Sequence, residues 1–146
     1  MKLTLSWLKQ HLKLNIDFSE VSQYLTSLGL EVENVTSKNE KLQNMIVCEI
    51  IKTSQHPNAD RLKICEVSSG KKVFKVVCGA ENARKGLKTV LALNGTYIPG
   101  RDFILKKKNI RGIEGDGMLC SEEELLLSED SDGIIELNKK CVPGYS

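Results

Sequence analysis

Long apolar runs are missing from this chain. No stretch approaches the ~20 residues that a membrane-spanning helix needs. The opening MKLTLSWLKQHL is broken by Lys9, Gln10 and His11 too early for a secretory signal. No membrane partner is expected, and a cytoplasmic setting follows. Paired cysteines are missing too. The five present, at 48, 65, 78, 120 and 141, are odd in number and include no Cys-x-x-Cys. That excludes a disulfide framework and leaves reduced thiols as the expectation. Zinc would need ligands in close pairs, and His11 and His56 are the only histidines, so no metal is expected. Aromatic residues make up 5% of the chain, too few for an extended stacking platform. What remains is ordinary: 146 residues, 40% hydrophobic and 27% charged, a soluble globular composition.

Charge is present in abundance and is unevenly placed. The net value of +2 conceals a middle segment, 61–111, with thirteen Lys and Arg against three acids. Residues 112–146 hold two Lys against nine acids. A segment this basic suits a polyanion, and the acidic segment after it does not.

The first 38 residues read as a small unit of their own. Leu5, Leu8 and Leu12 recur at helical spacing beside Trp7. Asp17 and Glu20 make a capping box ahead of the stripe Val21, Tyr24, Leu25 and Leu28, and Gly29 is placed to end that helix. LEVENV, 30–35, reads as a short strand. TSKNEK, 36–41, is a polar break, so the boundary is set between 1–38 and 39–146.

Beyond the break the period changes to two. Strands are expected at NMIVCEIIKT (44–53), RLKICEV (61–67), VFKVVC (73–78), KTVLAL (88–93) and DFILKKKNI (102–110). Val67 falls off the parity of Leu62 and Ile64, which predicts a bulge there. GAENARKG reads as a loop with one helical turn. Asn94-Gly95 and Pro99-Gly100 read as turns. Ser121 and Glu124 form a second capping box for a short helix over EEELLL, and Asp132-Gly133 turns the chain into IIEL. Five or six short strands with turn chemistry at each junction predict a small sandwich or barrel. The five-stranded member of that set is the oligonucleotide-binding (OB) barrel.

Motifs for chemistry fail on inspection. GAENARKGLKT has six residues between Gly79 and Gly86, with Leu87 where a P-loop needs lysine. GIEGDG lacks dinucleotide-binding order. SEDSDG carries Ser128 and Lys139 at the end positions of a calcium loop. Glu122, Glu123 and Glu124 fill the first turn of the expected helix and would repel phosphate there. HPNAD, 56–60, reads as a shaped corner between two strands, because His56 as a general base has no visible partner.

Four phrases, HPNADRLKICEV, VVCGAENARKG, VLALNGTYIPG and IRGIEGDGMLCSEEEL…DSDGIIEL, occur in this order. Together they resemble the tRNA-binding OB domain in the beta subunit of bacterial phenylalanyl-tRNA synthetase. LSWLKQHL and LTSLGLEVENV resemble the start of that subunit, so the likeness spans essentially the whole chain. It implies a mainly β protein with a small α+β N-terminal segment, completed by downstream chain. It also implies a parent that joins phenylalanine to tRNA with ATP and Mg2+ in an alpha2-beta2 assembly with the synthetase alpha subunit. Catalysis would lie in that alpha subunit, editing in later beta-subunit domains, and no cofactor in this piece. The family usually has serine at Gly115, glycine at Leu126, and often proline and cysteine at Glu81 and Ala83.

The expected role of this piece is to hold tRNA by phosphate and sugar contacts, with modest affinity that falls steeply with salt. The candidate contacts are Arg84, Lys85, Lys106, Lys108 and Arg111, each as a charge and none as a catalyst. Two other readings stay open: a structural docking module of the synthetase, and a free-standing tRNA-binding protein.

Overall fold

The computed structural model describes residues 1–37 and 39–144; Lys38 in the polar break and Tyr145 and Ser146 at the end lie outside. The chain divides into two compact units, Met1–Ser37 and Lys38–Ser146.

In the first unit, Thr4 caps α1 (Leu5–His11) by accepting the Trp7 N–H at 3.2 Å, and α1 buries none of its residues. Helix α2 (Phe18–Ser27) follows, with the Glu20 carboxylate accepting the Asp17 N–H at 3.0 Å. Gly29, at φ 89°, ends it. Its N–H reaches the Thr26 carbonyl and that of Leu30 reaches Leu25, the paired bonds of a Schellman motif. Residues 30–35 form no strand. The expected alternation is present, but no ladder partner lies beside it among the described residues.

The second unit opens with a 3-10 turn, Asn39–Leu42, and continues through β1 (Met45–Gln55), β2 (Lys63–Ser68), β3 (Val73–Cys78) and β4 (Lys88–Leu93). Then come β5 (Tyr97–Ile98), β6 (Phe103–Ile104), β7 (Asn109–Ile110), β8 (Ile113–Glu114) and β9 (Gly117–Leu119). The main sheet runs β3-β2-β1-β4-β9, antiparallel throughout. It curls until its ends meet: the Asp116 N–H donates to the Lys75 carbonyl at 2.8 Å, and the Asp116 carboxylate accepts the Lys75 N–H at 2.9 Å. This is the five-stranded OB barrel.

Strand β1 serves both halves of the barrel. Residues 45–49 pair with β4 and 49–55 with β2. The changeover is a bulge at Ile51, since Ile50 faces Val67 while Lys52 faces Glu66. The irregularity expected at Val67 therefore sits on the opposite strand, and Val67 stays inside with Cys65. The interior holds Cys48, Ile50, Cys65, Val67, Val76 and Leu91, with Leu87, Leu119 and Ile134 closing it. A second cluster, among it Met45, Ala92, Ile98, Leu105, Leu125 and Ile135, packs on the other face of β4. Strand β4 is thus covered on both sides.

Three more expectations change. DFILKKKNI is not one strand: β6 pairs with β5, β7 pairs with β8, and 105–108 belongs to neither. Alternation would turn one lysine of the triplet inward, and leaving the sheet lets all three stay exposed. No helix forms over EEELLL; 122–126 make a turn. Its capping box forms, with Ser121 and Glu124 bonding each other's N–H at 2.9 and 3.2 Å, but Leu126 then adopts φ 55°. GAENARKG holds two turns and no helix. Strand β9 was not expected. Its cue is Gly117, where a Cβ would lie 2.3 Å from the Ala92 carbonyl oxygen, so only glycine lets the chain approach β4 so closely.

Candidate nucleic-acid interface

Two connections shape one side of the barrel: the β1–β2 corner, 56–62, and the long β4–β9 passage, 94–116. In OB barrels these flank the ligand face over the second and third strands. The corner is the HPNAD stretch. His56 is 2% exposed. Its main chain closes the corner, donating to Leu62 at 3.0 Å and accepting from Ala59 at 3.5 Å. The Gln55 side-chain amide ties the inner carbonyls of Ala59, Asp60 and Leu62 together. The expected shaped corner is what forms.

The long passage carries the charges. Lys106, Lys107 and Lys108 lie between β6 and β7, and Arg111 sits at the tip of the β7–β8 hairpin. The tip is a two-residue turn with both residues at positive φ, Arg111 at 48° and Gly112 at 92°, as tight hairpins favour. Lys107 pairs with Glu114 at 2.7 Å, and that hydrogen bond raises the Lys107 pKa. Lys106 and Lys108 are exposed and meet no carboxylate within ion-pair distance among the described residues. On the neighbouring sheet face, Lys52, Glu66 and Lys75 stand in register across β1, β2 and β3. Arg61 is exposed in the corner itself.

The five candidate residues separate into two groups. Lys106, Lys108 and Arg111 share the long passage. Arg84 and Lys85 lie in the β3–β4 connection, 79–87. There Arg84 is committed to Glu136 through two bonds of 3.0 and 2.9 Å and also donates to the Asn82 carbonyl. Lys85 is exposed and makes no ion pair among the described residues. Sequence reading missed Lys52, whose placement opposite Glu66 depends on the Ile51 bulge. It also missed Asn58, an uncharged residue that bonds Arg111 across the two connections.

Other chemistry finds little support in these residues. Among the described residues no three His, Cys, Asp or Glu converge on a possible metal position. Burial pushes the Cys48 and Cys120 thiols up to about 12, leaving them protonated and inert. No helix among the described residues is long and apolar enough to cross a membrane. Of the barrel aromatics, Phe74 packs against the interior. The Tyr97 hydroxyl donates to Asp102 at 2.5 Å, which raises its pKa.

A five-stranded sheet whose ends meet, with a basic, solvent-facing β4–β9 connection, defines an OB-type nucleic-acid-binding module. The family profile described as "Putative tRNA binding domain" matches residues 45–146, and the chain belongs to that family. The phenylalanine–tRNA ligase beta subunit of Rickettsia bellii is 51% identical over 99% of this chain and 17% of its own length. That of Paramagnetospirillum magneticum is 47% identical over the whole of this chain and 18% of its own. The chain therefore spans under a fifth of the length of these curated relatives. A solved structure, the MetRS related protein from Pyrococcus horikoshii, superposes with a TM-score of 0.54 at 21% identity, over 77% of this chain and 96% of that one. At that identity the likeness concerns the fold alone.

Proposed function

We propose that the chain is the N-terminal region of a phenylalanine–tRNA ligase beta subunit, with 1–38 a leading segment and 39–146 the tRNA-binding domain. The parent enzyme would attach phenylalanine to its tRNA with ATP and Mg2+, together with an alpha subunit, in the cytoplasm. Identity of about half over nearly the full chain supports that parentage. Within it, this region holds tRNA by its phosphates and performs no bond-making step.

One observation carries the binding role: Lys106 and Lys108 are exposed and meet no carboxylate among the described residues, on the same connection as Arg111. Lysines held as point charges suit contact with the backbone of folded RNA. Lys85 is a peripheral contact in this reading, and Arg84 a structural one. The test is tRNA affinity of the 146-residue chain across a salt series, for wild type and K106A/K108A/R111A. The triple variant is expected to flatten the plot of log K against log salt by about 2 to 3, one per lost phosphate contact. A wild-type affinity indifferent to salt would overturn the reading.

A docking role is favoured by a different observation, the exposed apolar side chains of the first unit: Trp7, Tyr24, Leu28 and Leu30. Charge reversal at Lys106 and Lys108 separates the two. Lost tRNA binding with intact subunit assembly supports the first, and the converse supports docking.

A further inference from the structure

The corner and the charged hairpin are fastened to each other. The His56 Nδ1 accepts the Asn58 N–H at 3.0 Å, and Nε2 lies 3.1 Å from the Ile110 carbonyl. Because Nδ1 is an acceptor, the ring proton sits on Nε2 and is donated to Ile110. Next to it, the Asn58 side-chain amide donates to the Arg111 carbonyl at 3.2 Å, and the Arg111 guanidinium donates to the Asn58 carbonyl at 3.0 Å. Three bonds thus cross between segments more than fifty residues apart in sequence.

The hairpin needs such help. Its strands are two residues each, far short of what holds together unaided. Its base is tied separately, by Asp116 to Lys75 and by the Asn94 side-chain amide to the Gly115 carbonyl at 3.2 Å. Beyond the short β7–β8 ladder, the tip is closed by the Asn109 side chain, which accepts the Gly112 N–H at 2.7 Å. Removing the crossing bonds would therefore loosen the tip and leave the barrel closure in place.

We propose that His56 and Asn58 are positioning residues: a latch that holds the β7–β8 tip over the β1–β2 corner, so that Arg111, with Lys106 and Lys108 just before the hairpin, meets RNA phosphates as a preformed group. This rests on the tRNA-binding reading and adds to it that two uncharged groups set its strength. Charges already in place lose less freedom on binding than charges on a mobile tip.

The test uses the 146-residue chain with two mild variants. N58A removes one crossing bond at an exposed site and no charge. H56N keeps an acceptor for the Asn58 N–H, but its shorter amide falls short of Ile110. In both, hydrogen exchange of amides 109–114 is expected to quicken about tenfold while β1–β4 stay protected. Affinity for tRNA at low salt is expected to weaken about fivefold. In the K106A/K108A/R111A background the same variants should cost no further affinity. Unchanged exchange in both variants overturns the latch, whatever the RNA result. Faster exchange with full affinity overturns the positioning role. Wild-type binding indifferent to the triple substitution overturns the tRNA reading instead, a separate outcome.

Discussion

Arg84 and Glu136 meet fork to fork, Nη1 to Oε1 at 3.0 Å and Nη2 to Oε2 at 2.9 Å, while the Asn82 amide donates to the same carboxylate at 3.2 Å. This pair ties the β3–β4 connection to the chain that follows β9. It also answers the positive charge that made Arg84 a candidate for RNA. Substituting Arg84 by Gln should leave tRNA affinity within about twofold of wild type, because the charge removed was already compensated. A loss as large as that of K106A, measured in the same salt, would show the guanidinium turning to RNA.

The same pair sets an acid limit. Bonds from Arg84, then Asn82, lower the Glu136 pKa from the ordinary 4.5 to about 2. A depressed carboxylate contributes stability that is complete above its unfolded pKa and is lost as pH falls through its folded one. Urea midpoints of wild type and E136Q should therefore converge between pH 4.5 and about 2. A gap that is constant across this range would count against the assignment.

Lys107 differs from its neighbours because Glu114 holds it. K107A should weaken tRNA binding less than K106A or K108A, and E114Q should strengthen it about twofold at low salt by releasing the ammonium. Equal effects for all three lysines would mean that the pair does not persist in solution.

Leu126 stands at φ 55° with half its surface exposed, where a side chain crowds its own backbone and buries little. Leu126→Gly is expected to stabilise by about 1 kcal/mol, raising Tm by about 3 °C. The glycine usual there in the resembling family fits this conformation. A lowered Tm would show that the leucine packs usefully.

Gly117 predicts the opposite sign. A methyl group would lie 2.3 Å from the Ala92 carbonyl oxygen, on the main chain of β4. G117A should cost about 3 kcal/mol and loosen β9, seen as lost exchange protection at Leu119.

Strands β1 to β4 were legible because each alternates over six residues or more between clear turns. The capping boxes at Asp17 and Ser121 were legible as well, since their bonds are local. What stayed hidden depends on distant partners. LEVENV alternates like a strand but finds no ladder among the described residues. KKKNI continues an apolar run, yet three successive charges take it off the sheet. The bulge falls on Ile51 rather than Val67 because only the register of β1 against β2 decides which strand holds the extra residue. The candidate site was half legible. Counting charge located the basic segment, but whether a given cation is free depends on acids far along the chain, as Arg84 and Glu136 demonstrate. Asn58 was legible as part of the corner, but its bonds to Arg111, fifty-three residues on, were not.

The two-sided cover of β4 has a further consequence. One wall serves both clusters, with Leu91 facing the interior and Ala92 the outer layer, so neither layer can melt without stripping the other. Within this unit the amides of residues 89–92 should be the last to trade their hydrogens with solvent, and they should do so only when the whole barrel opens.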